Sequence, residues 1–223
     1  FEGLEDYLKF LESIGVDAII VADMGIFSLA KRVAPGLELH VSTQASTTNW
    51  HTVQMWKELG ATRVVAAREV SLADLKEMKD NVDIEIESFV HGSMCISYSG
   101  RCLLSNYMTG NRDANRGQCS QSCRWKYSLV ESNRPGEYYP IEEDEHGTYI
   151  FNSKDLCLIH RIPDLYEAGI DSLKIEGRMK SVHYCATVAK VYRTAIDTYL
   201  KEGKDWYVRP EWIAELEKIS HRP

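Results

Sequence analysis

The sequence predicts an α/β protein whose strands run parallel. Short apolar runs of strand type alternate with helical patterns at a spacing of about 25 residues, as βα units feeding a parallel sheet do. A Gly or Pro closes most of the units. No G-x-G-x-x-G follows any strand, which disfavours a dinucleotide-binding doubly wound sheet. An open doubly wound sheet of another kind and a (β/α)8 barrel are the two architectures left.

The first unit opens with a helix over Leu4–Ile14, where Leu4, Tyr7, Leu8, Leu11 and Ile14 recur at helical intervals and Gly15 ends the run. Asp17–Asp23 is a short apolar strand. Gly25 is read as a turn, and Ile26–Val33 as a short helix ended by Pro35 and Gly36. Glu38–Gln44 is the second strand, Thr48–Leu59 a helix stopped by Gly60, and Arg63–Arg68 the third strand. Ser71 and Asp74 fit a relaxed capping box for the next helix, and Ile84–Val90 is the fourth strand. After a long insert, Leu165–Ala168 is helical, Ser172–Glu176 is the fifth strand and Val182–Leu200 a helix. The insert, Gly92–Pro163, carries two alternating runs, Tyr127–Glu131 and Thr148–Asn152, read as a β-hairpin, with an acidic solvated stretch, Glu142–Glu145, between them.

The division expected is residues 1–91 for the first βα units, 92–163 for the Cys-rich loop and hairpin, and 164–223 for the last unit and C-terminal helices. The chain starts on Phe1 inside a helical pattern and stops on Pro223, so both ends read as cut. Upstream strands and a C-terminal domain are expected outside it, since a whole barrel needs about 250 residues.

Composition narrows the function. At 223 residues and 44% hydrophobic content there is enough apolar material for a sizeable core. No apolar run approaches about 18 residues, so no membrane span is expected, and the chain reads as cytoplasmic. A net charge of −7 argues against a protein that coats nucleic acid globally. Charge is reversed between Arg101 and Lys126, where Arg101, Arg112, Arg116, Arg124 and Lys126 face Asp113 alone. That run is a solvated loop or a contact for RNA phosphates, with Arg112, Arg116, Arg124 and Lys126 as its candidates.

Reactive side chains concentrate between Glu87 and Tyr127. Cys95, Cys102, Cys119 and Cys123 lie there, and Cys157 follows the insert. Gly92, Gly100, Gly110 and Gly117 make this stretch read as loop, neither helix nor strand. Clustered thiols in a chain of intracellular type bind metal or catalyse more often than they form disulfides. Structural zinc favours short C-x(2–4)-C knuckles, and only Cys119 and Cys123 are so spaced. An iron–sulfur cluster tolerates the wider gaps. Cys185, inside a helical pattern, reads as packing. His91, four residues from Cys95, is a candidate base for a Cys–His pair, and Tyr107, Trp125 and Tyr127 are candidates for stacking on bases.

The motifs Glu87-Ser-Phe-Val-His-Gly-Ser-Met-Cys95, Ser99-Gly-Arg-Cys102-Leu-Leu-Ser105, Arg116-Gly-Gln-Cys119, Cys123-Arg-Trp-Lys-Tyr127, Asn152-Ser-Lys-Asp-Leu-Cys157 and Ser172-Leu-Lys-Ile-Glu-Gly-Arg-Met-Lys-Ser181 resemble the signature of the collagenase-like peptidase family, family 32 of the U-type peptidases. The resemblance covers essentially the whole chain and is nearest to the branch that hydroxylates tRNA. It implies a partial (β/α)8 barrel of about five parallel strands. It also implies a [4Fe–4S] cluster that an aerobic preparation can lose or replace with zinc, and hydroxylation of the wobble uridine of tRNA by an oxidoreductase. The spacing of cluster-bearing relatives implies Cys95, Cys102, Cys119 and Cys157 as ligands, with Cys123 a spare thiol or one just outside the ligand set, and the alternative to Cys157. Strand ends over a barrel mouth imply Glu87, His91, Glu176 and Arg178 as pocket residues. A link of relatives to prephenate supply implies that Arg68 or Arg178 holds a carboxylate. The older family name implies the alternative of a peptidase; a metal-stabilised RNA-binding module without turnover is the third reading. Expected partners are tRNA, a paralogous protein, and a second copy covering the open edge of the barrel.

Overall fold

The computed structural model describes residues 2–221 except 96, 99, 100, 126, 127, 131, 138 and 141–154. In chain order its helices and strands are α1 (Leu4–Ser13), β1 (Ala18–Val21), α2 (Met24–Val33), β2 (Glu38–Val41), α3 (Trp50–Leu59), β3 (Arg63–Val65), α4 (Leu72–Asn81), β4 (Glu85–Ser93) and α5 (Leu104–Thr109). They continue with β5 (Ser128–Leu129), β6 (Tyr139–Pro140), β7 (Asp155–Cys157), α6 (Ile162–Glu167), β8 (Ser172–Glu176), α7 (Val182–Glu202) and α8 (Pro210–Glu217).

Side-chain caps fix where the helices start. Asp23 accepts the Ile26 N–H at 2.9 Å, so α2 begins at Met24 and Gly25 belongs to its first turn rather than to a separate turn. Asn49 accepts from Thr52 N at 3.0 Å and starts α3. Ser71 and Asp74 form the reciprocal capping box expected of α4.

The main sheet is an open arc. β1, β2, β3, β4 and β8 lie side by side in that order, all parallel, and the arc does not close. This is the five-stranded arc expected of a partial barrel. The sequence did not show β7. It runs antiparallel to the far end of β4, pairing Ser93 with Asp155 and His91 with Cys157, on the edge opposite β8. In the insert, β5 pairs antiparallel with β6. The expected second hairpin arm, Thr148–Asn152, and the acidic run lie outside the described residues. The Cys-rich stretch is also not all loop, since α5 runs through it.

Helices cover one face of the arc. Leu8, Phe27, Val41, Val53, Trp56, Val64, Met78 and Ile86 form its core with α1–α4, and α6–α8 pack a second core around Val90, Ile159, Tyr184, Val188 and Trp212. An open arc is expected from the sequence to leave inward-facing positions such as Ile19, Val41, Val65 and Ile86, or their immediate neighbours, partly uncovered. Instead Ile19, Val41 and Ile86 point into the helix-side core, and Val41, Val65 and Ile86 are buried. Val65 is on the other face, in register with Glu87. That inner face is largely polar, with Arg63, Glu85, Glu87, Ser172 and Lys174 bonded to one another across the strands. On the outermost strand Ile20 is 55% exposed, so the uncovered apolar position lies on the β1 edge. Among the described residues no helix is long and apolar enough to cross a membrane.

Candidate functional site

The C-terminal ends of β2, β3, β4 and β8 face a cavity of about 280 Å3, roofed by the Cys-rich segment. Ser42, Thr43 and Gln44 line it after β2, Arg68 after β3, Ser93 and Cys95 at the end of β4, and Glu176 and Arg178 after β8. This is where (β/α) architecture places chemistry. Two glycines make the closure possible. A Cβ on Gly92 (φ 105°) would stand 2.3 Å from the Glu176 carbonyl oxygen, and one on Gly117 (φ 70°) would stand 2.1 Å from Arg178 Nη1.

Four thiols line the cavity: Cys95, Cys102, Cys119 and Cys123. Burial pushes the Cys95 thiol above its ordinary value, and the nearby Cys102 and Cys119 add to the shift. Burial likewise raises Cys123, which also feels Cys119, Cys95 and Cys102. The four groups therefore sense one another. Cys157 lies apart, exposed on β7 with its sulfur 4.0 Å from the Tyr192 hydroxyl. Among the described residues no three Cys, His, Asp or Glu side chains are grouped to hold a single metal ion.

The cavity floor is cationic and partly apolar. Arg68 lies over the Phe89 ring, its Cζ 4.0 Å from the centroid, and bonds Glu176 at 3.1 Å. Its Nε is buried without a hydrogen-bond partner. Lys174 and the exposed Arg178 add two more cations. Glu87 does not line the cavity. It sits deeper on the inner face, where Lys174 Nζ (2.5 Å), Ser172 Oγ (2.8 Å) and Arg63 Nη1 (3.3 Å) all donate to it. Burial opposes its charge, but Lys174, Ser172 and Arg63 outweigh burial and hold the carboxyl below its usual range.

His91 is not at the mouth either. A register shift between Phe89 and His91 turns it out of the Glu87–Phe89 face. The ring is 5% exposed, stacks edge-on against Tyr192 and has Nδ1 3.4 Å from the Tyr192 hydroxyl. Burial lowers its pKa from 6.5 to about 4. It therefore stays neutral and packed, and no Cys95–His91 pair forms.

The expected RNA contacts divide. Arg112 donates to the Gln118 and Cys119 carbonyls and holds the Cys-rich segment together. Arg124 is only 12% exposed, paired with Asp155 and bonded to the Met94 carbonyl at 2.9 Å. Arg116, 76% exposed and 3.5 Å from Asp113, faces solvent. Lys126 lies outside the described residues.

A family model described as peptidase family U32 matches residues 1–223. The chain belongs to peptidase family U32. This U32 chain is 53% identical over 221 residues to tRNA hydroxylation protein P1 of Bacillus subtilis (strain 168), covering 99% of the chain and 52% of that protein. It is 42% identical over 255 residues to tRNA hydroxylation protein P of Escherichia coli (strain K12), covering 96% of the chain and 55% of that protein. It is 37% identical over 195 residues to the 23S rRNA 5-hydroxycytidine C2501 synthase of Escherichia coli (strain K12), covering 87% and 28%. The U32 chain thus spans about half the length of the tRNA hydroxylation relatives it matches.

Sequence reasoning passed over Phe89 and Lys174. Both follow from strand parity, since Phe89 is two residues after Glu87 and Lys174 two before Glu176. His91 yields a pH prediction for the U32 chain. Between about pH 6.5 and 4 the unfolded chain binds a proton at His91 that the folded chain refuses, so stability is complete above 6.5 and falls as pH drops toward 4. The gap is worth up to about 3 kcal/mol. Urea midpoints measured from pH 7 to 4.5 should fall, and His91→Phe should flatten that fall; an unchanged slope would assign it to another group.

Proposed function

We propose that this chain carries the catalytic half of an iron–sulfur protein that hydroxylates RNA, with the wobble uridine of tRNA as substrate. The observation that carries the reading is the set of thiols around one cavity at the strand ends. Four thiols at one cavity, separated by wide gaps in the sequence, suit an iron–sulfur cluster better than structural zinc, which favours short knuckles. The donor set also fits chemically, as thiolate is the cluster's own ligand. Cys95, Cys102 and Cys119 are common to every assignment. The fourth place belongs to Cys123 by position in the cavity or to Cys157 by spacing in the sequence. A [4Fe–4S] cluster held there supplies one-electron redox chemistry beside the substrate.

The chain's own residues do the rest. Arg68, oriented by Glu176 and Phe89, presents a buried N–H to an anionic or carbonyl group, and Lys174 and Arg178 favour negative charge nearby. The Cys-rich segment shields the site from bulk water, and Arg116 meets phosphate outside it. RNA-modifying relatives at up to 53% identity support this reading over proteolysis, and the packed, neutral His91 speaks against a thiol protease. A further protein surface on the exposed β1 edge, from a second copy or a paralogue, completes the proposed assembly.

The test uses the full-length protein that contains this chain, produced anaerobically in cells lacking their own tRNA hydroxylation proteins. Mass spectrometry of the tRNA should show one added oxygen on the wobble uridine. Unmodified tRNA together with cleavage of a collagen-like peptide would replace this reading with the protease.

A further inference from the structure

Arg124 was expected to meet RNA, but its side chain is largely covered, at 12% exposure, and its partners point to another role. Its guanidinium spans two segments, with one nitrogen paired to Asp155 on β7 and the other bonded to the Met94 carbonyl just beyond β4. Arg124 itself closes the short turn Ser122–Arg124. Asp155 is 6% exposed, and its second oxygen has no hydrogen bond, facing Lys180 Nζ at 3.7 Å. Lys180 in turn donates to the Ser220 carbonyl at 2.9 Å, anchoring this end to the C-terminal helices.

Each segment joined by the pair carries a thiol. Cys95 follows Met94, Cys123 precedes Arg124, and Cys157 lies two residues after Asp155. We infer that the Arg124–Asp155 pair is a positioning clamp, which fixes these three thiols against the end of β4 before any cluster binds. The inference rests on the cluster reading for its purpose, and it holds whichever of Cys123 and Cys157 is the fourth ligand. Such a pair suits the task because separating the segments takes the Arg124 guanidinium from its carboxylate. That leaves the 6% exposed Asp155 with Lys180 alone, at 3.7 Å and without a hydrogen bond, so the segments cannot part freely. Neither residue touches a reacting atom, and the role is positional.

Two readouts test it. In the full-length protein reconstituted anaerobically with iron and sulfide, Asp155→Asn should lose most of the iron and the visible cluster spectrum, and Asp155→Glu should recover part of both. In metal-free protein, Cys123 is buried and should react slowly with an alkylating reagent. Asp155→Asn should speed labelling of Cys123 and Cys95 by about ten-fold, the mark of local opening, with Cys185 on α7 unchanged as the internal control. Wild-type protein that takes up no iron would sink the cluster reading, yet the labelling would still decide the clamp. Wild-type labelling rates in a folded Asp155→Asn variant overturn it. If that variant does not fold, Arg124→Lys decides, since it keeps the charge but cannot bridge both partners; unchanged labelling and iron content there overturn the clamp too.

Discussion

Replacing Cys95, Cys102 or Cys119 with alanine should abolish cluster retention in the anaerobically prepared full-length protein. The wild type should carry about four irons per chain, as one [4Fe–4S] requires. The effect should be all-or-none, because each removed thiolate leaves an iron without a protein ligand inside a cavity that burial already makes unfavourable for charge. Cys185→Ala should change nothing, since its sulfur faces the Gly177 carbonyl at 3.6 Å and does not line the cavity. Cys123→Ala and Cys157→Ala decide the fourth place. Loss on Cys123→Ala alone keeps the ligand set inside the cavity. Loss on Cys157→Ala alone requires the β7 thiol to turn from Tyr192 toward Cys95. Stoichiometric zinc without iron in the anaerobic wild type would end the cluster hypothesis.

The order of βα units was legible because hydrophobic period and stop signals agree in every unit before the insert. Ser71 with Asp74 and Gly60 at φ 94° act as their residue types imply. What was not legible depends on single-residue shifts. Glu87, Phe89 and His91 have the same parity, so a regular strand would aim all three at one face. The irregularity after Phe89 sends His91 to the α7 side, and no residue type in the sequence announces it. The inner face was misplaced for a related reason. Ile19, Val41 and Ile86 are the apolar positions, and they were expected to face inward and stay partly uncovered. Here the helices take the apolar face and the polar residues cross-bond inside. Charge counting failed at Arg112 and Arg124 because a count treats every guanidinium as exposed. Both are consumed by carbonyls or a carboxylate of the insert itself. α8 had a readable start in Pro210 at the first turn, and went unread.

Lys174→Met should destabilise the fold by about 2–4 kcal/mol near neutral pH. Glu87 is buried, and burial is the largest single influence on its carboxyl. Its charge persists because Lys174 and Ser172 donate to it and Arg63 stands at 3.3 Å. Without Lys174, Arg63 remains, but it is also engaged with Glu85 at 2.7 Å, so compensation is incomplete. The pH dependence has a definite sign. In the wild type the folded pKa of Glu87 is depressed, so its contribution is present above the unfolded value of 4.5 and is lost as pH falls through the folded pKa. In Lys174→Met burial is less opposed and the folded pKa rises. The gap between variant and wild type should therefore be widest near pH 7 and should narrow as acid protonates Glu87 in both. Glu87→Met combined with Lys174→Met should recover much of the loss, since an apolar pair of similar volume removes both desolvation costs. Urea denaturation of the two variants and the wild type at pH 7 and pH 4 measures all of this. A pH-independent gap, or a double variant no better than the single, would show that Lys174 stabilises by packing over Phe89, 6.0 Å from the ring centroid, rather than by holding Glu87 ionised.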